Sequence, residues 1–147
     1  MGDYTISTDR TKMNVDLIHS YLSNQSYWAK NIPKEIVNRS IENSLCFGVF
    51  LNIEQVGFAR VISDFATYAY IADVFILEPH RKKGLSKLLM QAILEHPALQ
   101  GLRRIALATH DAHDLYKKFG FTAFAKPDRW MEKWNPDVYK KRRREDI

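Results

Sequence analysis

The 147-residue chain is 46% hydrophobic and 27% charged, with a formal net charge of +5, an ordinary composition for a globular domain long enough to bury one core. No apolar run approaches the roughly 20 residues of a membrane span, and the opening MGDYTISTDR has no apolar signal core. Most of the charge excess is the run KKRRR at residues 140–144, so the remainder is close to neutral and a nucleic-acid-binding face is not expected.

Tyr4 to Ser7 reads as a short strand. Apolar residues at Met13, Leu17, Ile18, Tyr21 and Leu22 then recur at helical spacing. Pro33 suits the first turn of a second helix, which carries Ile36, Val37 and Ile41 on one face. Leu45 to Leu51 and Val56 to Ser63 are strand-like and joined by a short turn, a hairpin pattern. Tyr68 to Leu77 is almost continuously apolar, as expected of a central strand covered on both faces. Leu85, Leu88, Leu89, Ala92 and Ile93 form one stripe of a helix that Pro97 and Gly101 stop. Arg104 to Thr109 predicts a strand. Asp111 to Phe119 predicts a short helix, with Asp111 as N-cap and Gly120 as left-handed C-terminal cap. Two further strands are expected at Thr122 to Ala125 and Arg129 to Trp134. The whole is one mixed α/β domain over residues 1–139, followed by a basic, flexible tail at 140–147.

The junction Leu77 to Ser86, LEPHRKKGLS, joins the central strand to its helix. A helix start offers unpaired N–H groups and roughly half a positive charge. Gly84 allows close backbone approach, and Arg81, Lys82, Lys83 and Lys87 add charge, a combination suited to phosphate or pyrophosphate. Neither G-x-x-x-x-G-K-[ST] nor G-x-G-x-x-G occurs, which excludes a P-loop and a dinucleotide fingerprint.

Arg81-Lys82-Lys83-Gly84-Leu85-Ser86 resembles the R/Q-x-x-G-x-G/A signature of the GNAT acyltransferases. Further on, LYKKFGF (Leu115 to Phe121) resembles that family's tyrosine-bearing helix ending in Gly-Phe. Ser86 stands where the family has Gly or Ala, and Thr109 where many relatives carry a cofactor-touching asparagine. The resemblance implies a sheet of about six to seven strands, splayed between the fourth and fifth and flanked by about four helices. It implies that the amides of Arg81, Lys82, Lys83, Gly84, Leu85 and Ser86 hold the pyrophosphate of acetyl-CoA. The pantetheine arm would then lie along the backbone of Phe75, Ile76 and Leu77, and Tyr116 would be the general acid. The activity implied is acetyl transfer to a primary amine, of a small molecule or a protein, in a ternary complex.

The chemistry sets its own requirements. An alkylamine with a pKa of about 10.4 is neutral in only about one molecule in 10³ at pH 7, so a base, a water chain or a desolvated pocket must help. Asp73, inside the apolar strand, is either that base or the ion-pair partner of Arg60. Glu78 and His110 are the other basic candidates. His110 and His113 lack a third ligand in pattern, so no metal is expected. Tyr27 and Trp28, with Tyr21, Tyr68 and Trp130, are candidates for the acceptor side. Cys46 is a lone apolar thiol, which fits a reducing cytoplasm and gives no acyl-cysteine motif. A non-catalytic acyl-CoA sensor and a nucleic-acid module built on the tail are the competing readings, and a homodimer is left open.

Overall fold

The computed structural model describes residues 3–140. Its strands are β1 (Tyr4–Ser7), β2 (Leu45–Leu51), β3 (Glu54–Ser63), β4 (Tyr68–Ile76) and β5 (Arg104–Leu107). They form one open sheet in the order β1-β2-β3-β4-β5. The first four pair antiparallel, and β5 joins β4 in parallel. The four α-helices are α1 (Val15–Asn24), α2 (Lys34–Glu42), α3 (Leu85–Glu95) and α4 (His113–Lys117).

Side-chain alternation along the strands separates two cores. On one face α1 and α2 bring Ile18, Leu22, Val37 and Ile41 against Cys46, Phe58 and Phe75. On the other, Leu85, Leu89, Met90 and Ile93 of α3 cover Phe47, Val49, Val61 and Ile71. Both faces carry helices, which accounts for the near-continuous apolarity of β4. Each fully buried aliphatic side chain contributes about 1.5–3 kcal/mol by leaving water. Among the described residues no helix is long and apolar enough to cross a membrane.

Strand β4 is irregular along both of its edges. Opposite β3 the register shifts between Phe58↔Phe75 and Arg60↔Ala72, so Asp73 and Val74 together face Ala59. This is a β-bulge, and Asp73 within it has φ +55°. On the other edge, pairing with β5 ends at Ile71↔Leu107 while β4 runs on to Ile76. Beyond Ile71 that edge has no strand beside it among the described residues.

Several expectations are corrected. The sheet has five strands among the described residues, where six to seven were expected. Thr122 to Ala125 and Arg129 to Trp134 form no ladder. Pro127 opens a 3₁₀ turn, Pro127–Arg129. The backbone bonds of this segment that the structure records are local, Arg129 N–H to Lys126 C=O and Trp130 N–H to Pro127 C=O. A proline cannot donate to a ladder, which works against strand pairing there. Pro33 is the N-cap of α2 rather than its first residue. The N-cap of α4 is Ala112, not Asp111, and it has no side-chain cap. Gly120 does take the left-handed conformation, at φ +90°. Apart from Lys140, the expected tail lies outside the described residues.

Candidate active site

The Arg81–Ser86 loop is reached through a 3₁₀ turn, Glu78–His80, fixed by His80 N–H to Leu77 C=O at 2.9 Å. Tyr4 and His80 steady it from β1, their Oη and Nδ1 atoms 2.8 Å apart. Lys82 has φ +64° and Gly84 φ +76°. The first is a non-glycine residue in a conformation costing about 1–2 kcal/mol. Left-handed residues among right-handed ones aim successive N–H groups to one side, a backbone concavity for anions. Gly84 is the N-cap of α3 and provides no side-chain cap, and no acidic residue stands in the first turn. The first N–H groups of the helix are therefore left without a capping side chain or a local anion.

The side chains of this loop divide. Lys82 and Lys83 are exposed, whereas Leu85 is buried and can offer only its amide. The Arg81 guanidinium is not part of the concavity. Its Nε donates to the Ile76 carbonyl at 2.8 Å and its Nη2 to the Tyr21 hydroxyl at 3.1 Å. Arg81 therefore ties the loop to the end of β4. Leu77 N–H is already used by the Val56 carbonyl at 2.8 Å. By antiparallel alternation the Ile76 backbone then faces the unpaired edge of β4.

A second centre lies where β4 and β5 part. A cleft of about 670 Å³ is lined there by Tyr27, Trp28, Asp73, His110, Tyr116 and Tyr139 among others. Asp73 Oδ2 accepts from Arg60 Nε and Asp73 Oδ1 from Trp28 Nε1, both at 2.8 Å. The bulge directs this carboxylate toward the loop between α1 and α2 that carries Trp28. Tyr27, packed edge-on against Trp28, leans on His110 with ring centroids 5.5 Å apart. Tyr116 is buried, and burial pushes its phenol above the ordinary value, with Tyr27 and Asp111 adding to the effect.

The GNAT family model, described as the acetyltransferase (GNAT) family, matches residues 15–121. The chain belongs to that family. A curated acetyltransferase of Gibberella zeae, whose name states no acceptor, is 34% identical over 139 residues, covering 80% of this chain and 77% of that protein. A GNAT-family structure from Xanthomonas campestris pv. campestris is 51% identical with a TM-score of 0.93, covering 96% of this chain and 99% of its own. A Clostridium acetobutylicum structure solved with acetyl-CoA shares the fold at 16% identity and TM-score 0.63, covering 90% and 96% respectively.

In this GNAT chain the sequence candidates divide between two places. Asp73 and Tyr116 meet at one cleft, and Tyr27 and Trp28 line it with them. Tyr21 belongs to the core, stacked on Phe75 at 4.0 Å, and Trp130 stacks on Phe124 at 4.3 Å, away from the cleft. Thr109 Oγ accepts the Ala112 N–H at 3.0 Å, so its side chain serves the entry to α4. The Trp28 bond to Asp73 spans 45 positions and the Tyr139 wall is farther still, and neither has a local sequence signal. Cys46 is buried, and loss of hydration pushes its thiol up to about 11, so it holds no thiolate near neutral pH. Among the described residues no three His, Cys, Asp or Glu side chains are grouped to hold a metal ion.

The Arg60–Asp73 pair sets one measurable expectation. Side-chain exposures of 16% and 10% leave little water to replace a lost partner. Arg60→Ala should therefore lower unfolding free energy by about 3 kcal/mol, the low end for breaking a buried pair. Urea titration checks this, and a loss below about 1 kcal/mol would show that Trp28 alone satisfies the carboxylate.

Proposed function

We propose that the protein moves an acetyl group from acetyl-CoA to a primary amine in a ternary complex, within one domain over residues 1–139. The observation that carries this reading is Asp73 and Tyr116 on one cleft, beside a strand edge that leads to the backbone concavity of Lys82 to Ser86, the Arg81 N–H being taken by the Glu78 carbonyl. The acetyl-CoA held by the Clostridium relative supports the cosubstrate. The residues present fit it. The amides of Lys82 to Ser86 suit the pyrophosphate, with Lys82 and Lys83 adding charge. On the edge of β4 from Phe75 to Leu77, the Ile76 N–H faces outward and suits a carbonyl of the amide-bearing arm, the Ile76 carbonyl being held by Arg81 Nε.

When bound, acetyl-CoA supplies the thioester. Asp73 stays fixed by Arg60 and Trp28, and its oxygens keep spare lone pairs for the incoming ammonium. It draws the proton from the amine, directly or through water. The amine nitrogen then bonds to the acetyl carbon as the carbon–sulfur bond breaks. Tyr116 gives its proton to the departing sulfur as the carbon–sulfur bond breaks; because a phenol near 10 is a weaker acid than a thiol near 8.5, the phenolate left behind is the stronger base and takes a proton back from solvent. The aromatic walls of Tyr27, Trp28 and Tyr139 shape the acceptor side.

The test is ligand-linked stability. Acetyl-CoA at 100 times its Kd should stabilise the fold by about 2.7 kcal/mol and raise the thermal midpoint. No shift at millimolar acetyl-CoA, with calorimetry also silent, would remove the basis of the reading. Binding without CoA release across a broad amine panel would instead identify a sensor.

A further inference from the structure

We infer that the acceptor is a small primary amine carried on an aromatic body, with no carboxylate or phosphate of its own. The inference rests on the acetyl-transfer reading and names the substrate class of the same cleft. Its first ground is charge. Asp73 and Asp111 line the cleft, and the one lysine or arginine that lines it among the described residues is Arg60. That guanidinium is already engaged, Nε donating to Asp73 Oδ2 at 2.8 Å and Nη1 to Ser44 Oγ at 3.1 Å. Lys30, two residues past Trp28, is exposed and is not part of the lining. An anionic acceptor would bring its carboxylate or phosphate beside two carboxylates with no free cation to hold it, and like charges so placed repel. An ammonium meets the opposite case, drawn by the carboxylates and by the ring faces together.

The second ground is shape. Tyr27 and Trp28 stand edge-on, their ring planes 85° apart and their centroids 5.0 Å apart. Perpendicular rings form a corner in which a flat ring stacks on one wall and meets the other edge-on, the two arrangements that aromatic pairs prefer. Both walls are open, Tyr27 being 66% exposed and Trp28 42%. Ile32 and Ile36 continue the apolar lining from the adjoining loop and α2. A linear polyamine would leave this surface uncovered. Trp28 Nε1 donates to Asp73 Oδ1 at 2.8 Å, so the corner stands directly beside the carboxylate. A ring seated there reaches Asp73 with its nitrogen through a short alkyl spacer.

CoA release from saturating acetyl-CoA tests this on the full chain with matched amines at one fixed pH. Phenylethylamine should exceed phenylalanine, its carboxylate-bearing counterpart, by about 100-fold or more in kcat/KM, the scale of an uncompensated like-charge contact. Phenylalaninol, with a neutral branch of similar size, should stay within about tenfold of phenylethylamine, which separates charge from bulk. Hexylamine and spermidine, which lack the ring, should trail by about tenfold. Tyr27 is exposed, so its replacement leaves the core alone, and dichroism checks the folding. Tyr27→Arg supplies a free cation at the corner and should narrow the phenylethylamine-to-phenylalanine ratio by about tenfold. Phenylalanine, an aminoalkyl phosphate, spermidine or a lysine peptide turned over as well as phenylethylamine overturns this inference and leaves acetyl transfer standing. A ratio unmoved in the folded Tyr27→Arg protein overturns it as well. No CoA release from any amine, with acetyl-CoA bound, overturns the acetyl-transfer reading itself and this inference with it.

Discussion

Gly84→Glu should abolish the thermal shift caused by acetyl-CoA while leaving the fold intact. The glycine has φ +76° at the N-cap of α3, where no side chain competes for the first amides of the helix. A glutamate there brings a negative charge to the backbone concavity proposed for the pyrophosphate. Its Cβ also meets the left-handed penalty of about 1–2 kcal/mol. Strain and charge can be separated. Gly84→Ala carries the same backbone penalty without the charge, and should keep a reduced shift. The residue is exposed, so neither variant disturbs the core. Differential scanning fluorimetry with and without acetyl-CoA is the measurement, with dichroism as the folding control. A folded Gly84→Glu protein that binds acetyl-CoA like the parent would place the anion site elsewhere.

Legibility of this chain from its residues alone divides along physical lines. The helices and β2 to β4 were legible because burial repeats locally, as in Leu85, Leu89 and Ile93, or the alternation of Phe47 and Val49. The loop at Arg81 to Ser86 was legible because a helix start, a glycine and lysines are neighbours in sequence. The missing strands after Gly120 show the limit. Residues 122–134 have strand-like side chains, but a strand exists only once a ladder partner is in place, and composition says nothing of the partner. Asp73 illustrates another gap. A carboxylate in an apolar strand signals a buried partner, and Arg60 was nameable from the same hairpin region. Trp28 was not, because its bond depends on a bulge that turns the carboxylate toward a loop 45 residues away. Arg81 shows a related limit: its charge is legible but its direction is not, and the guanidinium is committed to Ile76 and Tyr21.

Tyr116→Phe should lower kcat by about 10²–10⁴ with an acceptor amine in hand, the usual scale for removing a general acid. Affinity for acetyl-CoA should change little, because the ring keeps its edge-on packing against Phe121 at 6.0 Å. A fall in kcat and kcat/KM together marks an interaction made only in the transition state. The pH dependence separates this role from a structural one. Burial raises the phenol's pKa, so the acid form persists beyond pH 10 and does not limit turnover below it. The rising limb should instead follow deprotonation of the acceptor amine, near 10.4 for a lysine-like group. The Phe variant should keep that limb at a lower level. For stability the sign runs the other way: burying the neutral phenol favours the fold below its unfolded value near 10, and this contribution is lost as pH rises through the raised folded value. The parent should therefore lose more stability above pH 10 than the Phe variant, which keeps only the contribution of Tyr70, whose phenol burial also pushes up. If kcat falls less than about threefold at saturating substrates, Tyr116 is a packing residue. The proton for the departing sulfur must then come from water in the cleft.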